Sequence, residues 1–340
     1  MSILVTGVAG FIGSAVTLRL LSQGREVVGI DNLNNYYDVK LKENRLIQYH
    51  SHPKFNFQKI DIADRDAITN LFLQNQFDTI IHLAAQPGVR YSLENPAVYI
   101  DSNLVGFANV LEASRQHQIK HFVYASSSSV YGANEKLPFT EDDPVDHPLS
   151  LYAATKRAGE LMAHSYAQCH LPCTGLRFFT VYGPWCRPDM ALLSFTRNIM
   201  AEKPISLFNN GNMIRDFIYV DDIVEGLIRV IDSPPALDRA NIKERRPSTS
   251  HVAPYQIYNI GNNHPIKLQY FIQVLEKCLG KKATLEMKPM HVADVQSTYA
   301  DVTSFERKFG KLPHTPFEIG ISRFVDWYKA YYQAQILAEA

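Results

Sequence analysis

Tyr152 and Lys156 stand four residues apart in SLYAATKRAGE, a segment that reads as a helix, so both side chains project from one face. A phenol with an ordinary pKa near ~10 is a poor base at neutral pH, but an ammonium beside it favours the phenolate. Such a phenolate takes the proton from an alcohol while hydride leaves the same carbon for a redox cofactor. The plain alternative, a solvated surface pair, is the usual meaning of a bare YxxxK. What precedes the helix therefore decides between them. The run ASSSSVYG, read as the end of the preceding strand, offers hydroxyls at Ser127 and Ser129 to hold the reacting oxygen; the alternative is a polar strand end without a catalytic role.

A cofactor for that chemistry is written at the start of the chain. ILVTGVAGFIG sets Gly7, Gly10 and Gly13 between a strand and a helix in the order G-x-x-G-x-x-G. Glycines permit the turn and let backbone N–H groups approach a pyrophosphate where the helix dipole favours negative charge. Alone the triplet also fits a tight strand-to-helix connection. Asp31 ends the next strand, VVGID, close to the offset of about 20 residues at which a carboxylate meets the ribose hydroxyls of an adenosine. A carboxylate there repels a 2′-phosphate and no arginine directly follows it, so NAD is expected rather than NADP.

The elements that must position these groups alternate regularly. ILVTG, EVVGID, FNFQKID, DTIIHLA, HFVYASS and CTGLRFF are apolar runs without polar alternation, separated by amphipathic stretches such as Phe11 to Gln23, Val105 to Gln118 and Leu151 to Ala167. That rhythm predicts an α/β fold, a doubly wound parallel sheet covered by helices on both faces. After Tyr182, turns at Gly183-Pro184 and Arg187-Pro188 introduce a smaller C-terminal α/β substrate lobe, with a helix over Ala191 to Ala201, strands near Ile205–Phe208 and Asp216–Val220, a helix after Asp221, one over Leu268 to Leu279 and an aromatic-rich helix around Trp327. The expected division is 1–180 and 181–340, with some later segments returning to the first domain. Ser233 to Pro254, with Pro234-Pro235, the charged KERR run and the STS triplet, reads as a surface loop.

Bulk properties narrow the partners. At 340 residues, with Lys+Arg and Asp+Glu both totalling 34, nothing in the charge calls for nucleic acid or an anionic membrane. Cys169, Cys173, Cys186 and Cys278 match no zinc spacing or disulfide framework, and no metal is expected. Met1 to Val5 already read as a buried strand, which leaves no room for a signal core, and no apolar run approaches the ~20 residues of a membrane helix. A cytoplasmic location is the expectation.

The segments DNLNNYYDVKLKENRL, HLAAQPGVRYSLENPAVYIDSN, SSSSVYG, DHPLSLYAATK, VYGPWCRPDMA, RDFIYVDD and GISRFVDWYKAYY resemble, over nearly the whole chain, the extended short-chain dehydrogenases/reductases of the Rossmann type and, within them, UDP-glucuronate 4-epimerases. The resemblance implies NAD held by Phe11 and Ile12 on the pyrophosphate, Asn32 beside Asp31, Asp61 and Ile62 flanking the adenine, Leu83, Ala84, Ala85 and Asn103 along the cofactor, and Phe179 near the nicotinamide. It implies a UDP-sugar held by Arg90, Ser127, Ser128, Thr180, Arg187, Arg215 and Asp294, and a homodimer built from the helices containing Val105–Gln118 and Leu151–Ala167. For Arg215 an ion pair with Asp216 or Asp221 is the alternative.

Two departures from the family stand out. Cys186 occupies a usual glycine position, where a positive φ strains any other residue, although a packed, inert thiol is the simpler reading. HVADV, His291 to Val295, replaces a Pro-Gly turn and is expected to loosen the nucleotide clamp. Related dehydratases resemble one another in an Asp-Glu pair before VYG and decarboxylases in a Glu; here Ser128 and Ser129 stand there, so elimination lacks its proton carrier. UDP-glucose and UDP-N-acetylhexosamine 4-epimerases remain as alternatives, as does an NAD-sensing regulatory protein, which has no use for Tyr152 and Lys156 together.

Overall fold

The computed structural model describes residues 2–237, 246–250 and 252–339. Among the described residues twelve strands run in chain order as β1 (Ser2–Thr6), β2 (Glu26–Asp31), β3 (Phe55–Lys59), β4 (Thr79–His82), β5 (His121–Ser127), β6 (Cys173–Phe178), β7 (Thr180–Tyr182), β8 (Ile205–Leu207), β9 (Ile214–Tyr219), β10 (Tyr255–Ile260), β11 (Pro265–Lys267) and β12 (Leu285–Met287). The helices are α1 (Phe11–Ser22), α2 (Val39–Ile47), α3 (Arg65–Gln74), the single turns α4 (Tyr91–Glu94) and α5 (Ala97–Ile100), α6 (Phe107–Gln116), α7 (Leu151–Gln168), α8 (Ala191–Met200), α9 (Val220–Ile231), α10 (Leu268–Leu279), α11 (Thr303–Phe309) and α12 (Phe317–Glu339).

Seven strands form a parallel sheet in the order β10-β6-β5-β4-β1-β2-β3. β4 and β6 are buried along their whole length, as their unbroken apolar runs require when helices cover both faces. The strand order reverses between β1 and β4, and a crevice opens outside the carboxyl ends of strands at such a switch point. A second sheet, β11-β9-β7, and the pair β12-β8 carry the smaller lobe.

The two halves of the chain interlock. β10 comes from beyond residue 250 yet pairs with β6, and α9 lies against α1, where Arg19 meets Glu225 at 3.0 Å. One apolar core runs without a break from Ile3 and Val16 through Ile223 to Phe271 and Phe324.

Three local expectations change. Val105 to Gln118 is not one regular helix: a π-helical turn over Asp101–Gly106 precedes α6, a wider turn that sets Asn103 in the buried interior. Strand β5 stops at Ser127, and Ser128–Tyr131 form a 3-10 turn because the Ser127 side chain accepts the Ser129 N–H, so Ser129 is not on the strand. The STS triplet is not a surface loop: Ser248 and Ser250 are buried, Ser248 donates to Asp142 Oδ1 at 2.6 Å, and Thr249 bridges to Gln256. Residues 238–245, with most of the KERR run, lie outside the described residues. No helix among the described residues is long and apolar enough to cross a membrane.

Helix α7 carries the reacting pair and is fixed at both ends of its buried face. Ser150 caps it by accepting the Ala153 N–H at 3.1 Å. Glu160, wholly buried, receives Arg177 of β6 through Nε and Nη2 at 2.8 and 3.0 Å and the Ser126 hydroxyl at 2.7 Å. Breaking one side of a buried pair leaves an uncompensated charge. Glu160→Ala should therefore lose about 3–5 kcal/mol of stability in denaturant titrations, whereas a loss under about 1 kcal/mol would mean that water or Glu141 takes over Arg177.

Candidate active site

The carboxyl ends of β1, β2, β4, β5 and β6 open into one cleft. Gly7, Gly10, Phe11, Ile12, Gly13, Asp31, Asn32, Ile62, Leu83, Ala84, Ala85, Ser127, Tyr152, Lys156, Phe179, Thr180 and Arg187 all line it. Gly7 has φ +73°, and a Cβ there would lie 2.7 Å from the Ala84 nitrogen; at Gly13 it would meet the Gly7 carbonyl at 2.1 Å. The turn is thus closed to larger residues by its own backbone. Helix α1 begins at Gly10 with no side-chain cap, so its first N–H groups remain available to an anion entering the cleft. Asp31 is held beside them by the N–H groups of Ala9 and Leu33, at 3.1 and 2.9 Å. These features fit a dinucleotide whose pyrophosphate rests on the turn and whose ribose meets Asp31.

The other end of the cleft gathers Ser127, Tyr152, Lys156 and Arg187. Burial raises the pKa of Tyr152, while the Ser127 side chain and the charge of Arg187 oppose that rise. Lys156 is also buried, which lowers its pKa to about 8, and its Nζ donates to the Ala125 carbonyl at 2.9 Å. The Ser127 hydroxyl donates to Ser129 Oγ at 3.1 Å, so Ser129 acts on the cleft through Ser127. Burial alone keeps the phenol protonated; a positive charge brought in by a bound cofactor would shift it toward phenolate. Arg187 forms a fork with Asp189, Nε to Oδ1 at 3.0 Å and Nη2 to Oδ2 at 2.9 Å, and Tyr36 donates to the same Asp189 at 3.3 Å.

Other residues read from the sequence stand off the cleft wall. Asp61 accepts Asn32 Nδ2 and the Ala63 N–H, both at 2.9 Å, and so props Asn32. Asn103 is bound to Gln86 N and O and donates to Thr155 Oγ1 at 3.0 Å, behind the cleft. Ser128 lies in the 3-10 turn. Arg90, Arg215 and Asp294 form a separate group: Arg90 meets Asp294 at 2.7 Å and stacks 3.7 Å over Phe208, and both act electrostatically on the buried Arg215. Arg215 donates to the carbonyls of Ile214 and Gln296. Asp216 is not its partner, because that carboxylate accepts N–H groups of Asn262, Asn263 and Ala300.

At Cys186 the simpler reading holds, and the HVAD segment forms a defined turn. Cys186 does not have positive φ; Trp185 does, at 65°. Cys186 is wholly buried, and burial pushes its thiol up to about 12, so it is packed and inert. The HVAD turn is closed by its own bonds, Asp294 N–H to the His291 carbonyl and Ala293 N–H to His291 Nδ1, at 3.0 and 3.1 Å. Sequence reasoning did not single out Asn34, Tyr36, Tyr37, Lys42 or Met190, which also line the cleft, or Asp189. The segment DNLNNYY beginning at Asp31, and the carboxylate two residues from Arg187, were the available signals.

A profile of the NAD dependent epimerase/dehydratase family matches residues 3–266. A probable UDP-glucuronate 4-epimerase of Rhizobium meliloti is 45% identical over 98% of this chain and 98% of its own length. UDP-glucuronate 4-epimerase 1 of Arabidopsis thaliana is 46% identical over 98% of this chain and 77% of its own. The solved UDP-glucuronic acid 4-epimerase of Bacillus cereus, in complex with UDP-glucuronic acid and NAD, superposes with a TM-score of 0.86 at 32% identity, covering 98% of this chain and all of that one.

The depressed lysine has a measurable signature. Lys156 ionises at about 8 when folded and near 10.5 when exposed, so between those values the unfolded state binds the additional proton and this group's contribution to stability rises with pH. The unfolding free energy of the wild type minus that of Lys156→Met should grow by about 2 kcal/mol between pH 8 and about pH 10 in urea titrations of cofactor-free protein. A flat or falling difference would contradict the buried ammonium.

Proposed function

Because the chain belongs to the NAD dependent epimerase/dehydratase family, we propose that it interconverts UDP-glucuronate and UDP-galacturonate by inverting C4, with NAD as resident cofactor. Two relatives bearing the name of UDP-glucuronate 4-epimerases, and a structural neighbour holding UDP-glucuronic acid and NAD, support the reading. The observation that carries it is that Arg187 lines the cleft of Tyr152 and acts on that phenol through its charge, putting a cation where the C6 carboxylate of a uronate would lie.

When bound, NAD takes a hydride from C4 and returns it. Tyr152 Oη takes the proton from the C4 hydroxyl, and Ser127 orients that hydroxyl. Lys156 holds positive charge beneath the site. A ketone at C4 makes the uronate a β-keto acid, so Arg187, Thr180 and Ser127 must hold the carboxylate out of line with the ketone. Ser128 and Ser129, lacking a titratable acid, give the enolate left by loss of carbon dioxide nothing to protonate it. Arg215 grips the diphosphate about which the keto-sugar turns, with Arg90 beside it held by Asp294.

We assign residues 1–180, with α9 and β10, to the cofactor domain and the remainder of 181–340 to the nucleotide-sugar lobe. Exposed Val105 before α6 and Leu161 on α7 support a homodimer through these helices, and four free thiols suit a cytoplasmic setting. One observation favours a second reading, a neutral UDP-hexose 4-epimerase: Asp189 already neutralises Arg187, so an uncharged sugar strands no bare cation.

Incubation with UDP-glucuronate, UDP-glucose and UDP-N-acetylhexosamines should yield UDP-galacturonate from the first, without net NADH and without UDP-pentose. Arg187→Ala should impair uronate turnover far more than any neutral-hexose turnover; equal losses favour the second reading. Tyr152→Phe should keep its NAD and lose about 10² to 10⁴ in rate, and near wild-type turnover would remove Tyr152 from the mechanism.

A further inference from the structure

Arg45 of α2 is wholly buried, yet among the described residues it has no carboxylate partner within ion-pair distance. Its guanidinium is instead spread over three segments. Nη1 donates to the Ala9 carbonyl in the glycine turn at 2.9 Å and to the Tyr37 hydroxyl at 2.7 Å. Nε and Nη2 donate to the Trp185 carbonyl at 3.1 and 2.7 Å, and Nη2 also reaches the Cys186 carbonyl at 3.4 Å. The five N–H donors of the planar fork are thereby used, an arrangement that the three donors of a lysine cannot reproduce.

What Arg45 holds is strained. Trp185 has φ 65°, a conformation that costs a bulky L-residue of order 1–3 kcal/mol and persists only where neighbours over-determine it. Besides Arg45, the neighbours are Trp327 and Tyr331, whose rings lie 5.2 and 5.0 Å from the Trp185 ring, and Asn44, one residue before Arg45, donates to the Tyr331 hydroxyl at 2.8 Å. Two residues after Trp185 comes Arg187. On its other side Arg187 is gripped by Asp189, which Tyr36 reaches from the cofactor half. The segment from Tyr36 to Arg45 therefore takes hold of the 185–189 loop before and after Arg187.

We propose that Arg45 is a positioning residue that sets Arg187 by tying its loop to the cofactor turn, so that the grip on the sugar carboxylate is built from the NAD side of the molecule. Tyr36 is the second anchor of the same strap. The inference rests on the reading of Arg187 as the carboxylate's partner. UDP alone, which carries no carboxylate, is indifferent to the strap, whereas UDP-glucuronate needs it.

The test is calorimetric titration of NAD-loaded protein with UDP and with UDP-glucuronate, for wild type, Arg45→Lys and Tyr36→Phe. Losing hydrogen bonds to a charged group corresponds to about tenfold or more in affinity. Both variants should bind UDP as the wild type does and bind UDP-glucuronate more weakly, about tenfold for Arg45→Lys and less for Tyr36→Phe. Equal weakening toward both ligands, or none toward either, overturns the proposal. If Arg45→Lys does not fold, Tyr36→Phe decides on the same criterion. A wild type that binds UDP but gains nothing from the glucuronate moiety would instead overturn the functional reading beneath it.

Discussion

The Glu160–Arg177 pair is sealed from water on both partners, with Arg157 a second cation on the carboxylate, so neither buried charge is tolerable without a partner of opposite sign. That mutual dependence pins α7 against β6 and leaves the helix one position along the sheet. Since Tyr152 and Lys156 lie about two turns and one turn upstream of Glu160, fixing the carboxylate fixes where the phenol and ammonium emerge. Arg177 also donates to the Tyr131 hydroxyl and the Glu141 carbonyl, which carries the same constraint into the 3-10 turn after Ser127. The cleft is precise because the layer behind it cannot slide.

Within that frame the chemistry depends on burial as much as on pairing. Desolvation raises the phenol of Tyr152 and lowers the ammonium of Lys156, so both groups are driven toward neutrality in the protein alone. A positively charged ring bound in the cleft would oppose this for the tyrosine. In the proposed reaction the phenol would thus become basic only when the redox partner is in place, which suits a site that must not deprotonate alcohols at random.

Much of this was legible in the sequence because it rests on local rules. The glycine turn, Asp31 and the YxxxK spacing each follow from backbone sterics or helix periodicity, and strands covered on both faces announce themselves as apolar runs. The rest depended on distant partners. Nothing local to Ser248 or Ser250 says that Asp142 and β10 bury them, and nothing near Cys186 says that Trp185 absorbs the positive φ. The width of the π-helical turn at Asn103 and the segregation of Arg90, Arg215 and Asp294 from the cleft wall are likewise products of packing. Arg45 and Asp189 escaped notice because charged side chains usually face water; their roles exist only once two segments about 140 residues apart have met.

The return of β10 to the central sheet bears on how the chain is made. At translation rates of about 5–20 residues per second, residue 260 follows residue 178 off the ribosome by roughly 4–16 seconds. Throughout that interval β6 has been synthesised but its outer edge has no neighbour. A nascent chain in this condition presents an open parallel-sheet edge to solvent, the kind of surface that pairs with other chains. The seven-stranded sheet is therefore not a unit of synthesis: it waits on a strand that follows the smaller sheet in the chain.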